Sequence, residues 1–165
     1  MKKSRIPLLV LAIVITLLLI LRGYGPSYNQ PIDYNHKLHI EQGLECLSCH
    51  RYVMEQTFAS IPGVDVCMEC HEEPLTESRE EEKIRQFAEL GTDIPWLQVY
   101  EVPDHVFFSH RRHVSVAEIT CEECHGEIES REKPFTRPLI DLSMEFCIDC
   151  HIGSGATDDC VACHI

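Results

Sequence analysis

Five copies of Cys-x-x-Cys-His run through this chain and constrain its fold more than any other feature. They are Cys46-Leu-Ser-Cys49-His50, Cys67-Met-Glu-Cys70-His71, Cys121-Glu-Glu-Cys124-His125, Cys147-Ile-Asp-Cys150-His151 and Cys160-Val-Ala-Cys163-His164. All ten cysteines of the chain lie inside these motifs. The spacing is that of c-type haem attachment, in which two thiols form thioether bonds to one porphyrin. The adjoining histidine then sits on the iron as proximal ligand. Two plainer chemistries compete. Zinc sites also use paired Cys-x-x-Cys units, but ten cysteines divide poorly into four-ligand sites, and zinc gives no reason for a histidine after every pair. A disulfide scaffold, which ten cysteines in an exported chain invite, leaves the same histidines unexplained. The motifs therefore predict five covalently bound haem c groups.

The histidine count points the same way. Of ten histidines, the five outside the motifs are His36, His39, His105, His110 and His113. Five irons need five distal ligands if every site is six-coordinate. Isolated surface histidines are usually solvated, but these are clustered. His36 and His39 form a His-x-x-His pair before Cys46, and His110 and His113 form another before Cys121. Residues three apart share a helical face, so each short segment would serve two neighbouring haems. Bis-histidine iron is low-spin, closed to substrate and lower in potential than His/Met iron. His105 rests on the count alone. It follows Pro103, in chain expected to be loop or extended. Met54, Met68 and Met144 are the alternative axial ligands, each of which doubles as ordinary packing.

Lys2, Lys3 and Arg5 precede an apolar run from Ile6 to Leu21, 16 residues long. At about 1.5 Å per residue it spans roughly 24 Å, slightly short of a hydrocarbon core. Tyr24 and Tyr28 would extend it at the interface, and no clear cleavage site follows. The reading favours an uncleaved anchor over residues 1–24, with a cleaved signal as the alternative. The positive flank stays inside, which places residues 25–165 on the periplasmic side of the inner membrane. So little chain, divided among five haems at roughly 29 residues each, cannot also build a large side-chain core. The haems must be much of the core and lie close together. A net charge of −13 argues against nucleic-acid binding and fits either steering of a basic partner or a plain solvated surface.

The fold class expected is mainly α and irregular, with almost no sheet: a small, class III-like multihaem domain behind an N-terminal transmembrane helix. Within it the chain reads as a duplication, with units at about 30–73 and 104–165. Tyr34-Asn35-His36-Lys37-Leu38-His39 precedes the motifs at Cys46 and Cys67. Phe108-Ser109-His110-Arg111-Arg112-His113 precedes those at Cys121 and Cys147, and a further motif follows at Cys160. Between the units, about 74–103, lies an acidic insert. Ser78-Arg79-Glu80-Glu81 is a capping box, predicting a helix to about Leu90 that Gly91 stops. Ile84, Phe87, Ala88 and Leu90 give it an apolar face, and its charges a solvated one. Trp96 packs on a haem or on a partner.

Tyr34 to His50 and Phe108 to His125 resemble the cytochrome c3 and c7 superfamily, with tyrosine for phenylalanine in the first. The resemblance implies that His36 pairs with His50 and His110 with His125, while His39 and His113 serve other haems. The longer pattern, with the anchor and Pro103 to His113, resembles multihaem cytochrome subunits of alternative complex III and of periplasmic menaquinone reductase complexes. That likeness implies an electron carrier rather than a catalytic subunit. Its expected partners are an iron–sulfur or molybdopterin-type subunit, a polytopic quinone-binding membrane subunit and a periplasmic cytochrome or other redox protein. Other readings stay open. A membrane-anchored quinol dehydrogenase feeding a periplasmic reductase uses an unusually ligated haem, and ten histidines for ten axial positions count against it. A soluble shuttle requires a cleaved signal. A reductase of nitrogen oxyanions requires an open iron, and no other catalytic constellation stands out.

Overall fold

The computed structural model describes residues 28–164, together with Leu11, Val14 and Thr16. The expected anchor therefore falls almost wholly outside the described residues, among which no helix is long and apolar enough to cross a membrane. The described chain is built of short helices: α1 (His36–Glu41), α2 (Cys46–Cys49), α3 (Val64–His71), α4 (Arg79–Glu89), a π-helical turn (Arg111–Val116), α5 (Cys121–His125), α6 (Met144–Ser154) and α7 (Cys160–Cys163). The β structure among them is an isolated antiparallel bridge between Val106 and His164, in keeping with the expected near-absence of sheet.

Helices of four to eleven residues are too short to persist alone, so local caps and tertiary contacts hold them. Asn35 Oδ1 accepts from the Leu38 N–H at 2.9 Å and starts α1. Ser143 Oγ accepts from the Phe146 N–H at 3.2 Å and starts α6. At the end of α5 the chain leaves through Gly126 at φ 74° and ψ −168°. A side chain strains that backbone and would also bring a Cβ to 3.3 Å from Leu139.

The side-chain core is small. Ile32, Ile84 and Ile94 form its buried cluster, with Val64, Cys67, Met68, Phe87 and Trp96 packed around it. It joins α3 to α4, so the insert is the best-packed part of the described chain. Elsewhere large apolar groups such as Phe58, Phe107, Val116, Met144 and Val161 are exposed. Such a thin core is what a chain organised around large non-protein groups shows.

The insert departs from expectation in three places. Ser78 does cap α4, but its hydroxyl accepts from the Glu80 N–H at 3.2 Å, and Glu81 reaches back past it to the Leu75 and Thr76 N–H groups. Glu81 was expected on a solvated face, yet it is 5% exposed, the buried charged residue of the described chain. Leu90 was expected on the apolar face and is 74% exposed. It sits at the C-cap, where the helix is already unwinding toward Gly91 at φ 63°. Trp96 packs on the isoleucine cluster and donates from Nε1 to the Pro62 carbonyl at 3.0 Å.

Candidate haem-binding sites

Each Cys-x-x-Cys pair occupies one turn of helix, in α2, α3, α5, α6 and α7. Cysteines three apart on a turn project side by side, the spacing two thioether links to one ring require. All ten are free thiols. Burial pushes the Cys67 thiol up to about 11, with Cys49 and Asp65 adding to it. Burial likewise raises Cys49, Cys121, Cys124 and Cys147. Thiols held protonated are not the activated thiolates of redox or nucleophilic sites. The same electrostatic neighbours show which motifs lie near one another. Cys49 is beside Cys70 and Cys67, Cys46 beside Cys121, Cys124 beside Cys147 and Cys150, and Cys147 beside Cys163.

Five of the imidazoles are held in one tautomer. Nδ1 donates to a main-chain carbonyl in His39 (Asn35, 2.8 Å), His50 (Ser60, 2.8 Å), His110 (Thr57, 3.0 Å), His113 (Ser109, 2.8 Å) and His151 (Thr157, 2.6 Å). A proton fixed on Nδ1 leaves the Nε2 lone pair free for a metal. The carbonyl that serves His50 belongs to Ser60, a non-glycine residue at φ 68°, so left-handed backbone strain is tolerated where a ring is oriented. Burial, followed by the neighbouring His50, His39 and Arg131, pushes His36 down to about 4. Burial also lowers His125, with His110 and His50 contributing. Neutral imidazole is the ligand form.

The rings meet in pairs, each joining one motif histidine to one outside the motifs. Ring centres lie 6.2 Å apart for His39 and His71, 6.3 Å for His110 and His125, 6.1 Å for His113 and His151, and 5.5 Å for His105 and His164. His36 has the motif histidine His50 first among its electrostatic neighbours, ahead of His39 and Arg131. Two imidazoles bound to opposite sides of one metal ion, at about 2 Å per metal–nitrogen bond, have ring centres about 6 Å apart. Among the described residues no three or more His, Cys, Asp or Glu converge in a way that holds a bare metal ion. Axial pairs flanked by paired thiols fit a macrocycle that brings its own four nitrogens. The histidines at 36, 39, 105, 110 and 113 are thus all brought to motif histidines. The methionines are not: Met68 packs in the isoleucine cluster, and Met54 and Met144 are exposed.

Aromatic rings pack on both His-x-x-His pairs. Tyr34 meets His36 edge-on at 4.7 Å and stacks on His39 at 4.5 Å. Phe108 meets His110 edge-on at 4.9 Å and stacks on His113 at 4.7 Å. Two residues that the sequence did not mark as site residues also reach the sites. Tyr100 packs edge-on against His125 at 4.4 Å, its hydroxyl donating to the His125 carbonyl at 3.3 Å and accepting from the Leu139 N–H at 2.8 Å. Glu81 Oε1 lies 3.3 Å from His71 Nδ1. No motif marks Tyr100, and the capping box that contains Glu81 gives no sign of a contact with His71.

Comparison with known proteins agrees with this geometry. Residues 106–165 match the family described as cytochrome c7 and related cytochrome c. The chain is also 29% identical to the menaquinone reductase, multiheme cytochrome c subunit, of Nitratidesulfovibrio vulgaris (strain Hildenborough), over 82% of this chain and 76% of that relative.

Proposed function

We propose that this chain, a multihaem c-type cytochrome of the c3/c7 kind that transfers electrons, carries five haems and relays electrons between a periplasmic partner and a quinone-linked membrane complex. Bound haem supplies one-electron exchange at iron. The chain's own residues do the rest. Cys46 and Cys49, Cys67 and Cys70, Cys121 and Cys124, Cys147 and Cys150, and Cys160 and Cys163 anchor the five rings. The imidazole pairs that would hold the five irons are His36 with His50, His39 with His71, His110 with His125, His113 with His151 and His105 with His164. The observation that carries this reading is the pairing of motif and non-motif imidazoles at ring separations of 5.5 to 6.3 Å. With every axial position taken by histidine, no iron is left open for substrate, which favours a carrier over a catalytic subunit.

The electrostatic neighbours of the thiols support an order for the relay: second motif, first, third, fourth, fifth. His36-Lys37-Leu38-His39 bridges the first two sites from one helix, and His110-Arg111-Arg112-His113 bridges the third and fourth. Between the units, the His110 and Arg111 N–H groups donate to the Thr57 and Gln56 carbonyls at 2.9 and 3.1 Å. The fifth site is tied in by the Phe107 N–H donating to the Cys163 carbonyl at 2.7 Å. The two ends of the path are then the site beside the acidic insert and the site at His105 and His164.

The relative named as a menaquinone reductase subunit supports assembly with other subunits of a quinone-linked complex, for which an iron–sulfur or molybdopterin-type subunit and a polytopic quinone-binding subunit are the partners proposed. The basic and apolar N-terminal sequence supports a single-pass anchor in the inner membrane, with the haem domain on the periplasmic side. Intact mass of the purified protein tests the core of this reading. Five haem increments and an uncleaved N-terminus are expected, with a purely low-spin ferric spectrum and copurifying membrane subunits. A missing increment would overturn the five-haem assignment. A high-spin band would instead favour a quinol dehydrogenase, and a cleaved N-terminus without partners a soluble shuttle.

A further inference from the structure

Two chemically different kinds of neighbour stand at imidazole Nδ1 atoms in this chain. Those of His39, His50, His110, His113 and His151 donate to neutral main-chain carbonyls. His71 faces a carboxylate instead. Its Nδ1 is buried, makes no hydrogen bond of ordinary geometry, and has Glu81 Oε1 at 3.3 Å. Glu81 is 5% exposed, and carboxylates are rarely buried without a task because desolvation is costly. It is also firmly placed. Oε1 accepts from the Leu75 N–H at 2.6 Å and from Arg85 Nη1 at 3.0 Å. Oε2 accepts from the Thr76 N–H at 2.9 Å and the Thr76 hydroxyl at 2.5 Å. The residue comes from α4, in the insert that has no counterpart in the second unit, and α4 is pressed onto the motif helix α3 by the isoleucine cluster.

We propose that Glu81 is a positioning residue for the proximal imidazole at the second motif, and that it makes this end of the relay the most reducing of the five sites. A carboxylate at Nδ1 draws on the ring proton, raises the basicity of the ligating nitrogen and favours the ferric state more than a carbonyl does. Arg85 moderates the effect, because its guanidinium shares the same carboxylate oxygen. A terminal site tuned downward gives up electrons toward the interior of the chain, so the insert would set the direction in which this end works. The inference rests on the five-haem reading above.

The test is a redox titration of the holoprotein, with electron paramagnetic resonance of its ferric low-spin signals. Glu81→Gln keeps the shape and removes the charge. One midpoint should move upward, one ferric signal should shift, and the other four should stay. Arg85→Gln removes the charged partner of Oε1 and leaves the Leu75 N–H in place, and the same midpoint should move downward. A merely structural prop would not give opposite signs at one site. Unmoved midpoints in folded, fully haem-loaded variants overturn the proposal, as do shifts spread over several sites. If Glu81→Gln fails to fold, Arg85→Gln decides alone, a downward shift supporting the proposal and no shift overturning it. Mass spectrometry of each variant separates the two readings: unmodified Cys67 and Cys70 in the parent protein would sink the haem assignment itself.

Discussion

Tyr34 stacks on His39 with an interplanar angle of 24°, and Phe108 stacks on His113 at 23°. Each meets the earlier histidine edge-on, at 85° and 86°. His39 and His113 both donate from Nδ1 to the carbonyl four residues back, at 2.8 Å. At the rings the two units are near copies. The surroundings are not. The first pair rides on an α-helix capped by Asn35, while the second sits at the start of a π-helical turn with no side-chain cap. His110 donates to the Thr57 carbonyl, whereas His36 Nδ1 is buried without a partner. The first unit leans on the insert and its isoleucine cluster. Ring placement has thus been kept while the backbone that delivers it differs, as expected if the rings, rather than the helices, answer to the bound group.

The largest effects should come from removing the paired rings. His36→Ala and His110→Ala should each turn one low-spin site of the five high-spin, read in the ferric spectrum. His110→Ala also gives up the bond to Thr57, so it should loosen the contact between units, whereas His36→Ala leaves that contact whole. If either variant stays fully low-spin, the equivalence of the two pairs fails.

Part of this organisation was legible in the chain itself. The grouping of paired cysteines and histidines was visible without a structure, because the proposed covalent attachment and ligation would demand fixed residue types at fixed spacing. The aromatic residue two before each pair was visible for the same reason. His105 was a matter of counting until its ring lay against His164. Glu81 was misread, because glutamates at helix starts are usually solvated and nothing local shows that Thr76 and Leu75 fold back over one. Tyr100 was silent, since its contact with His125 spans 25 residues of chain without regular structure. Long-range placement is what residue spacing does not encode.

The insert gives the next sharpening. Ile84 is buried against Ile32 and Ile94, and the second unit has no such cluster among the described residues. Ile84→Ala should cost about 2–3 kcal/mol, toward the low end for a buried aliphatic truncation because part of the wall is open. Thermal unfolding measures the loss, and limited proteolysis should show it concentrated in the first unit. Uniform loosening of both units would mean that the insert supports the whole domain.

The smallest effect isolates the two helix starts. Asn35→Ala removes the oxygen that accepts from the Leu38 N–H but keeps the main-chain carbonyl that orients His39, so it should cost about 1 kcal/mol. Ser109 holds the matching position, and its carbonyl orients His113 in the same way, yet its hydroxyl caps nothing. Ser109→Ala should therefore stay within about 0.5 kcal/mol of the parent. Both variants should keep a low-spin spectrum, because neither touches the ring or its acceptor. Denaturant melts of the pair, run side by side, read the difference directly. Equal costs would mean that the second turn is held at its start as the first is, and that the α and π forms are interchangeable ways of presenting the same two rings.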